Sequence, residues 1–171
     1  MEFTFETKYD EKALTALNRS LRKTFRRGRS LRTRILGGIL AAAVLYVSFG
    51  SGEFVFNSTM AVVWMIAAVL ILMIAFEDKI NGKNAVKRLK PGTNKVLTTF
   101  SEELYRSRTQ WNKSKFAYDG IAHLTETDAY FILLLDANRG QILSKKGLFE
   151  GSEEEFRTFM ENRMGKTFVR V

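Results

Sequence analysis

The sequence predicts an α+β membrane protein in which a two-helix transmembrane hairpin carries a cytoplasmic, strongly bent antiparallel sheet capped by a C-terminal helix. Three observations lead there. Residues 35–52 and 54–76 are uncharged, mostly apolar stretches with only Glu53 between them, and a run of about 18 or more such residues is long enough to cross a hydrocarbon core of roughly 30 Å. Dense basic clusters flank the pair, while the short connector 50–59 has no Lys or Arg. From Val96 onward, apolar residues alternate with polar ones in short runs punctuated by turn residues, before a final helical stripe.

The chain divides into five segments: a strand over 1–9 that joins the cytoplasmic sheet, a basic amphipathic helix over 10–34, the transmembrane hairpin over 35–76, a basic linker or helix over 77–95, and a cytoplasmic domain over 96–171. In the first, E-F-T-F-E-T at 2–7 puts Phe3 and Phe5 on one face. Asp10 then suits an N-cap, and Leu14, Leu17, Leu21 and Phe25 form one helical stripe. The opposite face is basic in its second half. It suits an interfacial helix on an anionic leaflet, or a helix packed on the soluble domain and running into the first span, with Gly28 permitting a bend.

Within the hairpin, Gly37 and Ala41, Gly38 and Ala42, and the seven-residue repeat Ala61, Ala68 and Ala75 supply small residues for close helix packing, between the two spans or between copies of the chain. Neither span carries an ionisable residue, so an ion or proton path through these two helices alone is not expected. Arg19, Arg22, Lys23, Arg26, Arg27, Arg29, Arg32 and Arg34 precede the hairpin, and Lys79, Lys83, Lys87, Arg88, Lys90 and Lys95 follow it. Positive charge stays on the cytoplasmic side, which puts both termini in the cytoplasm of a two-pass inner-membrane protein. A cleaved signal peptide is not expected. Glu77 and Asp78 stand among these cations, where pairing with Arg32 or Arg34 is expected over an acid–base dyad.

Lys90-Pro91-Gly92-Thr93 ends the helix. Strands are expected over 96–101, 104–108, 114–118, 121–125, 129–136 and 141–144, with 129–136 central because both of its faces are apolar. Asp119-Gly120 and Asn138-Arg139-Gly140 supply turns. Ser152 and Glu155 make a capping box, ahead of the stripe Phe156, Phe159, Met160 and Met164. A run of antiparallel strands closed by one amphipathic helix resembles the pleckstrin-homology-like arrangement.

Four stretches carry a closer resemblance: V-L-T-T-F-S-E-E-L-Y at 96–105; Phe116-Ala117-Tyr118-Asp119-Gly120-Ile121 leading to Glu126; Gln141-Ile142-Leu143-Ser144-Lys145-Lys146-Gly147-Leu148-Phe149; and the acidic start of the last helix. With the E-F-T-F strand, the basic helix and the two spans, they resemble the YcxB-like family of bacterial membrane proteins. Members more often have Trp where Tyr118 stands and Pro-Lys where Ser144-Lys145 stands. The resemblance implies a cytoplasmic pleckstrin-homology-like domain on a two-span anchor, and carries no activity with it.

The net charge of +9 is unevenly spread: 19–34 contributes +8 and 77–95 contributes +4, whereas 96–171 holds eleven basic and eleven acidic residues. The excess belongs to the membrane flanks and anionic head groups, and no nucleic-acid partner is expected. Cysteine is absent and His123 is the single histidine, so disulfides, thiol catalysis and a zinc site are not expected, nor is any cofactor. None of the common catalytic or nucleotide-binding motifs occurs, and Asp119, Glu126, Asp128 and Asp136 read as solvated turn carboxylates. The expectation is a non-enzymatic membrane protein that acts as a regulator, scaffold or accessory subunit through contact with another protein or a second copy of itself. The alternative is a module that binds anionic lipid or phosphate at the inner leaflet, with Arg19, Arg22, Lys23, Arg26, Arg27, Lys145 and Lys146 as contacts. Lys145, Lys146 and Arg139 also suit protection of an edge strand. An enzyme with an unrecognised site is the minor alternative. Trp111, in the polar loop 109–115, is expected either to dock on a partner or to fold back onto the core.

Overall fold

The computed structural model describes residues 2–49 and 58–171. The order of elements is β1 (Phe3–Lys8), α1 (Glu11–Thr24), α2 (Arg27–Phe49), α3 (Ser58–Ala75), α4 (Glu77–Arg88), β2 (Lys95–Phe100), β3 (Leu104–Arg108), β4 (Lys113–Ala117), β5 (His123–Glu126), β6 (Tyr130–Leu134), β7 (Gly140–Ser144), α5 (Glu153–Met164) and β8 (Val169–Arg170), with short 3₁₀ turns at Tyr118–Gly120 and Lys145–Gly147.

The strands form two four-stranded sheets, ordered β1-β2-β3-β4 and β7-β6-β5-β8. All neighbours are antiparallel except the short parallel pair β5 and β8. β1 and β2 pair directly, Phe3 opposite Phe100 and Thr7 opposite Val96, so the four helices between them leave and re-enter the first sheet at adjacent strands.

Phe3 and Phe5, two residues apart on one face of β1, are fully buried in an aromatic core with Phe100, Tyr105, Phe131 and Phe156. Phe5 meets Phe156 edge-on with ring centroids 4.7 Å apart, and Phe100 stacks on Tyr105 at 5.2 Å, geometries that add about 0.5–1.5 kcal/mol per pair beyond area burial. α5 supplies Phe156 and Met160 to this core. Its start is fixed by Ser152 and Glu155, each accepting the other's backbone N–H, and its end by Gly165 at φ 60°. Side chains stitch the two sheets together where β7 meets β1 and β2: Ser144 N–H donates to Thr7 Oγ1 of β1 and Gln141 Nε2 donates to Thr98 Oγ1 of β2, both at 2.9 Å.

The apolar run in β6 has two destinations. Phe131 and Leu133 face the aromatic core, whereas Ile132 and Leu134 face Ala13, Leu14 and Leu21 of α1. α1 therefore covers the outer side of the second sheet, and α4 packs along α1. Gly82 permits that approach: a Cβ there would lie 2.3 Å from Thr15 Oγ1 and 2.8 Å from Thr15 N.

The basic helix is not continuous over 10–34. Asp10 caps α1, accepting from Ala13 N–H at 2.9 Å, but α1 stops at Thr24 and α2 starts at Arg27. The break falls at Phe25 and Arg26 rather than at Gly28, because both side chains are held by the sheet: Phe25 packs on His123 with ring centroids 4.9 Å apart, and Arg26 donates to Ala137 O and Asn138 Oδ1. The four arginines from Arg27 to Arg34 thus lie in the same helix as the first apolar stretch.

α2 and α3 pack side by side. Gly37 is on the covered side, where an added Cβ would meet Ile74 Cδ1 at 2.5 Å; Ala41 and Ala61 are half-buried. Gly38, Ala42, Ala68 and Ala75 lie on exposed faces, since a single line of contact between two helices covers only one side of each. Among the described residues no single helix is long and apolar enough to cross a membrane; Met60–Ala75 and Glu77–Arg88 pass that test only together, bent by 72°. Within the described residues, the uncharged part of α2 is 35–49 and α3 has 18 residues, each shorter at about 1.5 Å per residue than roughly 30 Å. The connector 50–57 lies outside the described residues.

Candidate functional site

The basic helix sorts its cations between the interior and the surface. Arg22 turns toward α4, where its Nε and Nη2 donate to the two carboxylate oxygens of Asp78 at 2.7 and 2.6 Å, with the side chains 16% and 18% exposed. This two-pronged pair replaces the expected pairing of Asp78 with Arg32 or Arg34. The helical bend at Phe76 directs α4 back along α1, which brings Asp78 to Arg22. The bond to Asp78 raises the Arg22 guanidinium pKa further above its ordinary value. Arg26 is likewise engaged, by the turn between β6 and β7. There Asp136 accepts from Asn138 N–H at 2.7 Å, from Arg139 Nε at 2.6 Å and from Arg139 N–H at 2.9 Å, and its carboxyl is held below the usual range by the Asn138 N–H first and Arg139 second. Arg19, Lys23 and Arg27 are exposed.

Lys145 and Lys146 part in the same way. Lys146 is exposed, but Lys145 is 9% exposed, reaches Glu126 at 3.2 Å and Glu153 at 3.5 Å, and lies 4.5 Å from the centre of the Phe131 ring. It is a structural cation between β7 and α5. Glu126 is not a solvated turn carboxylate: it also accepts from Arg157 Nη2 at 2.8 Å. Burial pushes its pKa up, and the hydrogen bonds from Arg157 and Lys145 outweigh burial and bring it below the ordinary value. Asp128 and Asp119 are exposed, as expected of turn residues, and Asp128 pairs with Arg170. Trp111 does not fold back onto the core; it is 73% exposed and its Nε1 donates to Pro91 O at 3.1 Å. Sequence spacing gave no notice of the Glu126, Lys145 and Arg157 cluster, because its members meet only when β5, the turn after β7 and α5 come together.

A cleft of about 420 Å³ opens where α1 gives way to α2, lined by Lys23, Arg27, Ser30 and Arg34 from the helices and by Val169 and Arg170 from β8. Cations line it together with the apolar side chains of Leu31, Val169 and Val171. Two exposed residues expected on the lipid-facing side, Lys23 and Arg27, line this cleft, whereas Arg19 lines a separate hollow with Lys79 and Tyr130. Among the described residues no group of three or more His, Asp or Glu side chains gathers as metal ligands do.

Among the described residues, fold and site together define an α+β protein of two four-stranded sheets and five α-helices, with a helical insertion between neighbouring strands and a basic cleft at its foot. Residues 100–160 match the family model described as YcxB-like protein. The match runs from the end of β2 through most of α5, so β1 and the helices α1 to α4 lie outside it. Comparison with curated proteins and with solved structures returns no match.

Proposed function

We propose that the chain is a non-enzymatic, two-pass protein of the bacterial inner membrane, in which α2 and α3 anchor a pleckstrin-homology-like module on the cytoplasmic side and the module works as a regulator, scaffold or accessory subunit through contact with another protein. The observation that carries this reading is the apolar surface of the helical insertion: Leu36, Ile39, Met65 and Ile66 are each more than half exposed on helices that leave adjacent strands of one sheet. A continuous apolar surface of that kind is unstable in water and is ordinarily covered by lipid or protein. The cations crowding its foot and the uncharged character of α3 and of residues 35–49 of α2 support a bilayer as the cover. Contact through the module is favoured by two exposed aromatic side chains, Trp111 and Phe149, at 73% and 67% exposure, since such residues dominate protein interfaces.

A photoreactive phenylalanine analogue in place of Trp111 or Phe149 tests this in native membranes. The expected result is a discrete protein adduct of reproducible mass from at least one of the two positions. Adducts with lipid alone from both would favour the second reading, recognition of anionic lipid or phosphate at the inner leaflet, which rests on the basic cleft.

A further inference from the structure

The cleft at the bend between α1 and α2 combines two unrelieved features. Arg22 on one side is neutralised by Asp78 and Arg170 on the other by Asp128, but the side chains of Lys23, Arg27 and Arg34 line the same space with no hydrogen bond or salt bridge to another described residue. In the cleft wall, Ser30 is 8% exposed and its Oγ, with essentially no contact with solvent, has no hydrogen-bond partner. A buried hydroxyl left without a partner is destabilising. Like charges gathered along one cleft without a counter-ion are unfavourable as well.

One kind of ligand relieves both. It must be anionic, carry more oxygens than a single cation can satisfy, and fit a space of about 420 Å³. A phosphate group meets these terms, because guanidinium forks pair with two of its oxygens at once while an ammonium takes a third; the Ser30 hydroxyl, shielded as it stands, joins them by turning about χ1 into the cleft. A carboxylate offers its single charge on two coplanar oxygens, whereas a phosphate directs its oxygens tetrahedrally toward donors that arrive from two helices. We propose that the cleft lined by Lys23, Arg27, Ser30 and Arg34 is a phosphate-binding site, filled by the phosphodiester of an anionic lipid or by free phosphate. The lipid source rests on the membrane-anchor reading: the uncharged stretch of α2 begins directly after Arg34, which sets the cleft at head-group level.

The test uses the full chain purified in a non-ionic detergent and titrated calorimetrically with dioctanoyl phosphatidylglycerol, dioctanoyl phosphatidylcholine and inorganic phosphate. Saturable binding of phosphatidylglycerol, phosphate or both is expected, with a loss of about tenfold or more in the Lys23→Gln/Arg27→Gln/Arg34→Gln variant. The charge-matched Arg106→Gln/Lys113→Gln/Lys115→Gln variant, altered at exposed positions of β3 and β4, should stay within about twofold of the parent if site geometry rather than overall charge governs binding. Phosphatidylglycerol preferred over phosphate by about tenfold assigns the site to a lipid head group, and equal affinities assign it to free phosphate. No saturable binding of either, equal binding of phosphatidylcholine and phosphatidylglycerol, full affinity in the cleft variant, or equal losses in both variants overturns the site. No bilayer is used, so these outcomes are independent of whether the anchor reading holds.

Discussion

Glu126, at the end of β5, accepts from Lys145 at 3.2 Å and from Arg157 at 2.8 Å and joins three parts of the module. Its carboxyl pKa is lowered on folding, so the folded state gains from its ionised form. The resulting stability is present above the ordinary value near 4.5 and is lost as pH falls through the lower folded value. Glu126→Gln should therefore weaken the module at pH 7, and its difference from the parent should shrink at pH 4; urea unfolding of the full chain in detergent at the two pH values checks this, and an equal difference at both contradicts it. Local residue pairings were legible in the sequence, distant ones were not. The Ser152 and Glu155 box and the Asp10 cap bond to atoms within three residues, whereas Arg22 and Asp78 stand 56 residues apart and Glu126 and Arg157 stand 31 apart. Residue type showed that each could pair, but partner choice came from the fold.

At the scale of elements, alternation locates β2 to β7 to within about two residues, whereas the single helix expected over 10–34 is divided between α1 and the start of α2. β3 was read at its observed bounds, Leu104–Arg108, and the two apolar faces of 129–136 anticipated a β6 packed on both sides. The end of α1 was not legible. The glycine at 28 has nothing within 4 Å of the place a Cβ would occupy, while the real break is held by Phe25 and Arg26 through contacts with a sheet that lies far along the chain. The close approach of α1 and α4 was equally hidden, since Gly82 gives no local sign of the Thr15 backbone against it. This contrast has a measurable consequence. Gly82→Val should cost about 2 kcal/mol or more, because Thr15 backbone atoms cannot yield as a flexible side chain would. Gly38→Ala should be neutral or slightly stabilising, since its surroundings are open and Ala favours helix by about 1 kcal/mol. Thermal unfolding of the two variants in detergent compares them directly, and similar losses in both would refute the packing described.

For the whole molecule, the defining relation is that β1 and β2 pair while enclosing all four helices from α1 to α4. The two apolar helices are thus an excursion from one sheet, returning through α4 to a point beside their departure. The α1 and α4 pair, bonded through Arg22 and Asp78 and packed on β6, fixes that excursion against the second sheet. The proposed consequence is a module held tight to the membrane surface, with its basic cleft at the foot of the anchor, in place of a domain swinging on a flexible tether. The amphipathic N-terminal strand and the strands after the hairpin made this closure readable from sequence. Cysteine labelling tests it most directly, because the chain has no cysteine and each introduced thiol is unique. In intact cells a membrane-impermeant maleimide should label Glu53→Cys in the connector and should reach Trp111→Cys, on the exposed turn between β3 and β4, only after the membrane is permeabilised. Equal labelling of Trp111→Cys before and after permeabilisation, or recovery of the chain in the soluble fraction after an alkaline wash, would contradict the account.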